Sequence, residues 1–257
     1  MALAAFAALF GGGSDSARSA NQSLTTPSFN VSYRDVDDAE AKIFVDAAET
    51  ARIAVTKYLD RGYDDRISIS ISNDHKFPDI DPKTGRIVIP ASRIRGDAGG
   101  PPGLKGRGPA FIQVLTVVIA PSRNRKLGRL LETGLGAYLQ EKFGDKSKLA
   151  YPSMGRDLHR ETSLMAANFG RFIALVDAER ERNITTRLIR IRRLAHLEEG
   201  SFVRYLIESE GITEFLKFYD GAPIEEVYAA DLQTLERSWQ RLIRSLNPEA
   251  IPRNNVN

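Results

Sequence analysis

Residues 111–144 read FIQVLTVVIA–PSRNRK–LGRLLETGLGAYLQEKFG, and the fold turns on how this stretch is read. The first segment, Phe111–Ala120, is almost wholly apolar. Its β-branched residues permit a buried strand and its length permits a buried helix, so periodicity alone does not separate the two. The second segment is unambiguous. Leu127, Leu130, Leu131, Gly134, Leu135, Tyr138 and Leu139 recur at intervals of three and four, which predicts an amphipathic helix ended by Gly144.

Upstream, Arg66–Ser72 (RISISIS) alternates strictly and Phe29–Tyr33 (FNVSY) alternates in the same way, so both read as half-buried strands. Gly85–Pro90 (GRIVIP) follows a Pro-Lys-Thr-Gly turn and reads as a further short strand. Between the first two strands, Asp35–Asp60 has helical apolar spacing, with acids in its first turns where the helix dipole favours them. Residues 96–109, rich in glycine and proline, read as a connecting loop. Downstream, helices are expected at about 156–180, 185–198, 201–210, 212–219, 223–229 and 232–246. The order predicts an α+β protein: a small N-terminal sheet with a long helix, then a mostly helical C-terminal half. The expected domain covers 26–246, its sheet-bearing part 26–120 and its helical part 121–246, with a tail at 247–257. Residues 1–25 read as a leader. Its run Ala2–Phe10 is too short to span a bilayer. It fits either a secretory signal lacking its basic start, implying a secreted or periplasmic protein, or a plain apolar leader on an otherwise soluble chain.

Composition narrows the chemistry. The chain has 257 residues, 42% hydrophobic and 27% charged, which suits a folded domain. A net charge of +3 is too weak to point to nucleic acid. With no cysteine, disulfides, Cys-ligated zinc, iron–sulfur clusters and thiol catalysis are excluded. His75, His159 and His196 lie far apart, so a multi-His metal site would need all three to converge. No G-x-S-x-G elbow, Walker motif or dinucleotide fingerprint is present.

In word order the stretch 111–144 resembles the core of gluzincin metallopeptidases, the small peptidase-MA-like domains in particular. There one helix carries HExxH and the next a glutamate, in a phrase such as WLSEGLAVYLQEKFG. Residues 200–221 (GSFVRYLIESEGITEFLKFYDG) resemble the family phrase SFVRYLIERYG, and the helix bearing Trp239 follows in the expected place. The resemblance covers about 29–246 and implies a zincin-like fold with a zinc ion. Carried over residue by residue, it places the first zinc-binding histidine at Gln113, the general base at Val114, the second histidine at Val117 and the third ligand at Thr133. The surroundings match and every functional position departs. Two imidazoles one helical turn apart grip a metal, which then acidifies water. A neutral amide, two valines and an alcohol offer no such grip. Glu132 is turned about 100° from Thr133 on a helix and does not restore a ligand set.

The leading expectation is therefore an inactive, metal-free relative of these peptidases that binds a peptide or protein in the inherited cleft. Arg86, Ile87, Val88 and Ile89 are its candidate edge for β-addition. Two alternatives remain: a hydrolase of this fold with an unorthodox site, and a basic surface-binding module. The latter would use the cluster Arg180, Arg182, Arg187, Arg190, Arg192 and Arg193, with Arg187, Arg190 and Arg193 as its patch. The acid pairs Glu198-Glu199 and Glu225-Glu226 read as solvated surface. His75 and His159 carry no motif. His196 precedes the SFVRY phrase; a lone histidine there reads as structural or exposed, with a place facing the cleft as the alternative.

Overall fold

The alternation of Arg66–Ser72 does what it predicts: Ile67, Ile69 and Ile71 are buried, and they form the middle of the sheet. The structure is a computed structural model, and it describes residues 21–81, 83–95, 110–145, 150–184 and 189–247. Among these, β1 (Gln22–Thr25), β2 (Phe29–Tyr33), β3 (Ile67–Ser72), β4 (Asp79–Ile80) and β5 (Ile87–Pro90) form one mixed sheet in the order β1-β2-β3-β5-β4. The inner three are parallel, with Val31 opposite Ile69 and Ile69 opposite Ile87. Antiparallel β1 and β4 close the two sides.

The crossover from β2 to β3 is α1 (Asp38–Leu59). A capping box starts it: Asp37 accepts from the Glu40 backbone N–H, and the Glu40 carboxylate accepts from that of Asp37. Its buried residues, Phe44, Val45, Ala48, Val55 and Leu59 among them, pack toward the sheet. A short α2 (Ala91–Ile94) leads out of β5.

Phe111–Ile119 is helical, α3. Length permitted this and packing decides it. Leu115 and Thr116 are fully buried, and the Thr116 hydroxyl donates to the Ile112 carbonyl at 2.7 Å. The Phe111 ring meets Phe29 at 6.0 Å and Phe44 at 5.3 Å, edge to face. Then follow α4 (Gly128–Phe143), α5 (Leu158–Phe169), α6 (Leu175–Ile184), α7 (Ile189–Tyr219), α8 (Ile224–Tyr228) and α9 (Leu232–Ser245). α7 packs on α4, α5, α6, α8 and α9 and is the axis of this half. One continuous core runs from Phe29 and Ile69 through Leu135 and Phe202 to Trp239 and Ile243, so sheet and helices form a single unit.

The α+β reading holds, and several boundaries move. The segment 22–25 belongs to the sheet rather than to a leader. The helix expected at 156–180 is two helices, because Gly170 ends α5 in the left-handed region at φ 68°. The helices expected at 185–198, 201–210 and 212–219 fall, in their described part, within one long element from Ile189 to Tyr219, bent at Gly211, whose φ of 86° only glycine adopts readily. Residues 1–20, 96–109 and 248–257 lie outside the described residues.

Candidate functional site

α3 and α4 run antiparallel and very close. The Ile112 N–H donates to Gln140 Oε1 at 3.0 Å, and the Ser122 N–H donates to Glu132 Oε1 at 2.9 Å. Between these anchors, a Cβ added at Gly136 would stand 3.0 Å from Gln113 Cα. This register sets Val117 level with Thr133. Gln113, Val114 and Val117 share the half-exposed face of α3, and Thr133 is half-exposed on α4. The four positions singled out in the sequence therefore lie on the facing helices that a shared site would need. α7 closes the back, for a Cβ at Gly134 would stand 2.5 Å from the Glu199 carbonyl oxygen.

The donor set does not fit zinc. The Gln113 amide N–H₂ donates to the Tyr151 carbonyl oxygen, Val114 and Val117 are hydrocarbon, and a threonine hydroxyl stays neutral. Glu132 is spent on the Ser122 N–H. Beyond Gln113, Tyr151 Oη lies 3.0 Å from His196 Nδ1 with the rings 5.0 Å apart, and His196 Nδ1 is 2.8 Å from the Arg192 carbonyl oxygen. His196 is thus held by Tyr151 and its own helix backbone. Among the described residues, no group of three His, Cys, Asp or Glu side chains is placed to hold a metal ion.

One long-range contact was not legible in the sequence. Phe77, in the β3–β4 loop, lies within 5.9 Å of the Arg93 guanidinium and 5.8 Å of that of Arg192, so the sheet side touches the start of α7 through one ring. The candidate edge also needs correction. β4 pairs with the outer flank of Ile87 and Val88, and Asp81 N–H continues the pairing to the Arg86 carbonyl at 2.9 Å. Ile87, Val88 and Ile89 are buried, and Arg86 lies outside the strand. The outer flank belongs to β4, whose two residues lacked the length to show a period.

Of the expected basic patch, Arg190 is exposed and Arg187 lies outside the described residues. Arg193 turns inward, with Nη2 2.5 Å from Glu161 Oε1 and Nε donating to the Pro152 carbonyl at 2.8 Å. Glu161, itself 3% exposed, also takes Arg156 at 3.0 Å.

Two buried polar groups of α7 escaped sequence reasoning. Glu198 and Glu199 are fully buried rather than solvated; Glu225 and Glu226 are exposed as expected. Glu198 accepts from the Ile173 N–H at 3.1 Å and Glu236 from the Leu175 N–H at 3.1 Å, so two carboxyls serve the otherwise orphaned start of α6. Burial pushes the Glu198 carboxyl well above the usual carboxylate range. The charges of Glu236 and Glu199 reinforce this against the Ile173 hydrogen bond and Arg171. A raised folded-state pKa means that its stabilising share is present below the unfolded carboxylate value and lost as pH rises through the folded one. Glu198→Gln stays neutral throughout and still accepts from Ile173. We expect a melting temperature a few degrees above wild type at pH 8, with the gap closing toward pH 4. Calorimetry across that range checks it, and a pH-independent difference contradicts it.

The second group is a relay. Ser201 Oγ lies 2.7 Å from His159 Nδ1 and accepts from Trp239 Nε1 at 2.9 Å, while His159 Nε2 lies 3.3 Å from Glu208 Oε2. Burial and the charge of Arg204 pull the His159 pKa down against the pull of Glu208. The neutral ring then accepts from Ser201 and donates to Glu208. This share of stability is lost as pH falls below about 6.5, opposite in sign to Glu198. Arg204 gathers Asp157 at 2.7 Å, Glu141 at 3.1 Å and Glu208 at 2.7 Å. The order Ser–His–Glu is that of a hydrolase triad, yet Ser201 is fully buried and Trp239 donates to its oxygen. The group therefore joins α5, α7 and α9 and offers no nucleophile to a substrate.

Comparison with protein-family models, curated proteins and solved structures finds no match to this chain. Among the described residues no helix is long and apolar enough to cross a membrane.

Proposed function

We propose that this chain is a zincin-like domain without peptidase chemistry, which holds an extended peptide or protein segment in the cleft between the sheet side and the α3–α4 pair. The observation that carries the reading is the α3–α4 register. It sets Gln113, Val114, Val117 and Thr133 on facing helices, and those places hold an amide, two hydrocarbons and an alcohol. A scaffold of this kind keeps its shape while losing the metal chemistry. The outer flank of β4 is the edge along which an extended segment would pair, since β-addition needs only backbone groups.

Restoring the motif tests the scaffold. The variant Gln113→His, Val114→Glu, Val117→His and Thr133→Glu should bind about one zinc ion per chain by titration calorimetry and elemental analysis, with a melting temperature lowered by chelator. Wild type should take up none. A quadruple variant that folds normally and binds no zinc shows that the four positions do not converge, and stoichiometric zinc in wild type removes the metal-free reading.

A further inference from the structure

Away from this cleft, an apolar groove of 840 Å³ runs along the outer side of α1, closed by α2, the start of α3 and the end of α4. Its walls include Ile43, Ala47, Ala51, Ile94, Phe111 and Phe143. Ile43 is 65% exposed there, an unusual place for an isoleucine on a helix whose opposite face is core. The small side chains of Ala47 and Ala51, one turn apart, leave room for a second segment to lie close along α1.

The described chain begins at one end of this groove. Gln22 of β1 pairs with Tyr33, whose hydroxyl donates to Asp38 at the start of α1 at 2.9 Å. Arg95, on the groove wall, donates to the Asp35 carbonyl at 2.8 Å beside the same point. Glu40 and Ile43 follow within the next turns of α1. The chain preceding Gln22 carries the uncharged run Ala2–Phe10, with Leu3, Phe6, Leu9 and Phe10 among alanines. Residues 11–21 reach roughly 35–40 Å when extended, and the whole of α1 is about 33 Å long. The run can therefore reach any part of the groove. The segment 96–109, which also leaves beside Arg95, carries Leu104 as its one large aliphatic side chain and offers little to fill such walls.

We propose that Ala2–Phe10 of this chain docks in the groove between α1, α2, α3 and α4. The inference is independent of the cleft reading, because α3 gives Phe111 and Ile112 to the groove and Gln113, Val114 and Val117 to the cleft.

The lack of cysteine makes the test clean. In the full chain, Ala7→Cys carries a single nitroxide and the protein is isotopically labelled for NMR. The expected result is loss of the Ile43, Ala47, Ala51 and Ile94 signals, recovered on reduction of the nitroxide, while α9 signals persist. Adding Phe6→Asp and Phe10→Asp should restore the groove signals with the label still in place. Groove signals that persist beside the oxidised label overturn the proposal, as does broadening that reaches α9 equally or survives both aspartates. A mixture of nitroxide-bearing unlabelled chain with labelled cysteine-free chain must show no loss. Loss there identifies a second copy as the occupant and overturns the proposal as well.

Discussion

Gly134→Ala is expected to destabilise the protein by about 3 kcal/mol, the upper end of the usual cost of overpacking. Propensity alone argues the reverse, since alanine in place of glycine within a helix gains about 1 kcal/mol. Contact decides the sign. The added Cβ would fall on Val203 Cγ2 and stand 2.5 Å from the Glu199 carbonyl oxygen. Val203 is β-branched and fully buried, and the carbonyl belongs to the backbone of α7, so neither can step aside. α4 and α7 would have to separate, and the packing along both would loosen. Gly128→Ala, whose nearest neighbour is Ser122 Cβ at 3.7 Å, is the control and should be neutral or slightly stabilising. Urea denaturation of the two variants checks the contrast; equal midpoints would show that the helices have slack.

Trp239→Ala should cost about 3–5 kcal/mol. Trp239 is fully buried, its ring edge to face with Phe172 at 5.5 Å and Phe202 at 5.8 Å. It anchors α9 to α7 and donates to Ser201. Truncation leaves a cavity that these aromatic neighbours cannot close, and it removes a donor from the buried relay. Trp239→Phe keeps most of the apolar volume but loses the donor and one ring of the indole, so it should cost less, about 1–3 kcal/mol. Thermal unfolding followed by circular dichroism separates the two. Similar losses in both would assign the anchoring to the hydrogen bond instead of the ring.

The elements read well from sequence are those whose periodicity matches one buried face. ISISIS could only be a one-sided strand, and the leucine spacing of 127–139 could only be a helix. The Phe111 segment was ambiguous because it is apolar nearly all round; its partners α4, Phe29 and Phe44, distant in sequence, settle it. β1 and β4 went unread because edge strands are short and exposed: Gln22–Thr25 has only Leu24 to bury, and Asp79–Ile80 is too brief to alternate. Glu198 and Glu199 were misread for a different reason. Adjacent acids on a helix ordinarily find water, but α7 is surrounded, so both faces turn inward. Arg193 followed the same logic in reverse, drawn inward by a buried Glu161 that nothing nearby in sequence announces. That Gln113, Val114 and Val117 share one helix and Thr133 lies on the next was legible. The contacts of Tyr151, Phe77 and Arg93 were not, since only the tertiary fold makes them.

The central position of α7 also bears on how the chain is made. The Arg61 guanidinium, at the end of α1, grips Asp220 at 2.7 and 2.6 Å across 159 positions, and α4 finds its main packing partner in α7. Such distant pairings raise the contact order and slow folding. During synthesis the sheet and α1–α4 emerge well before the helix that completes their core. They must wait on the ribosome with the α7-facing side of α4 uncovered, so the nascent chain is most exposed to aggregation just before α7 appears.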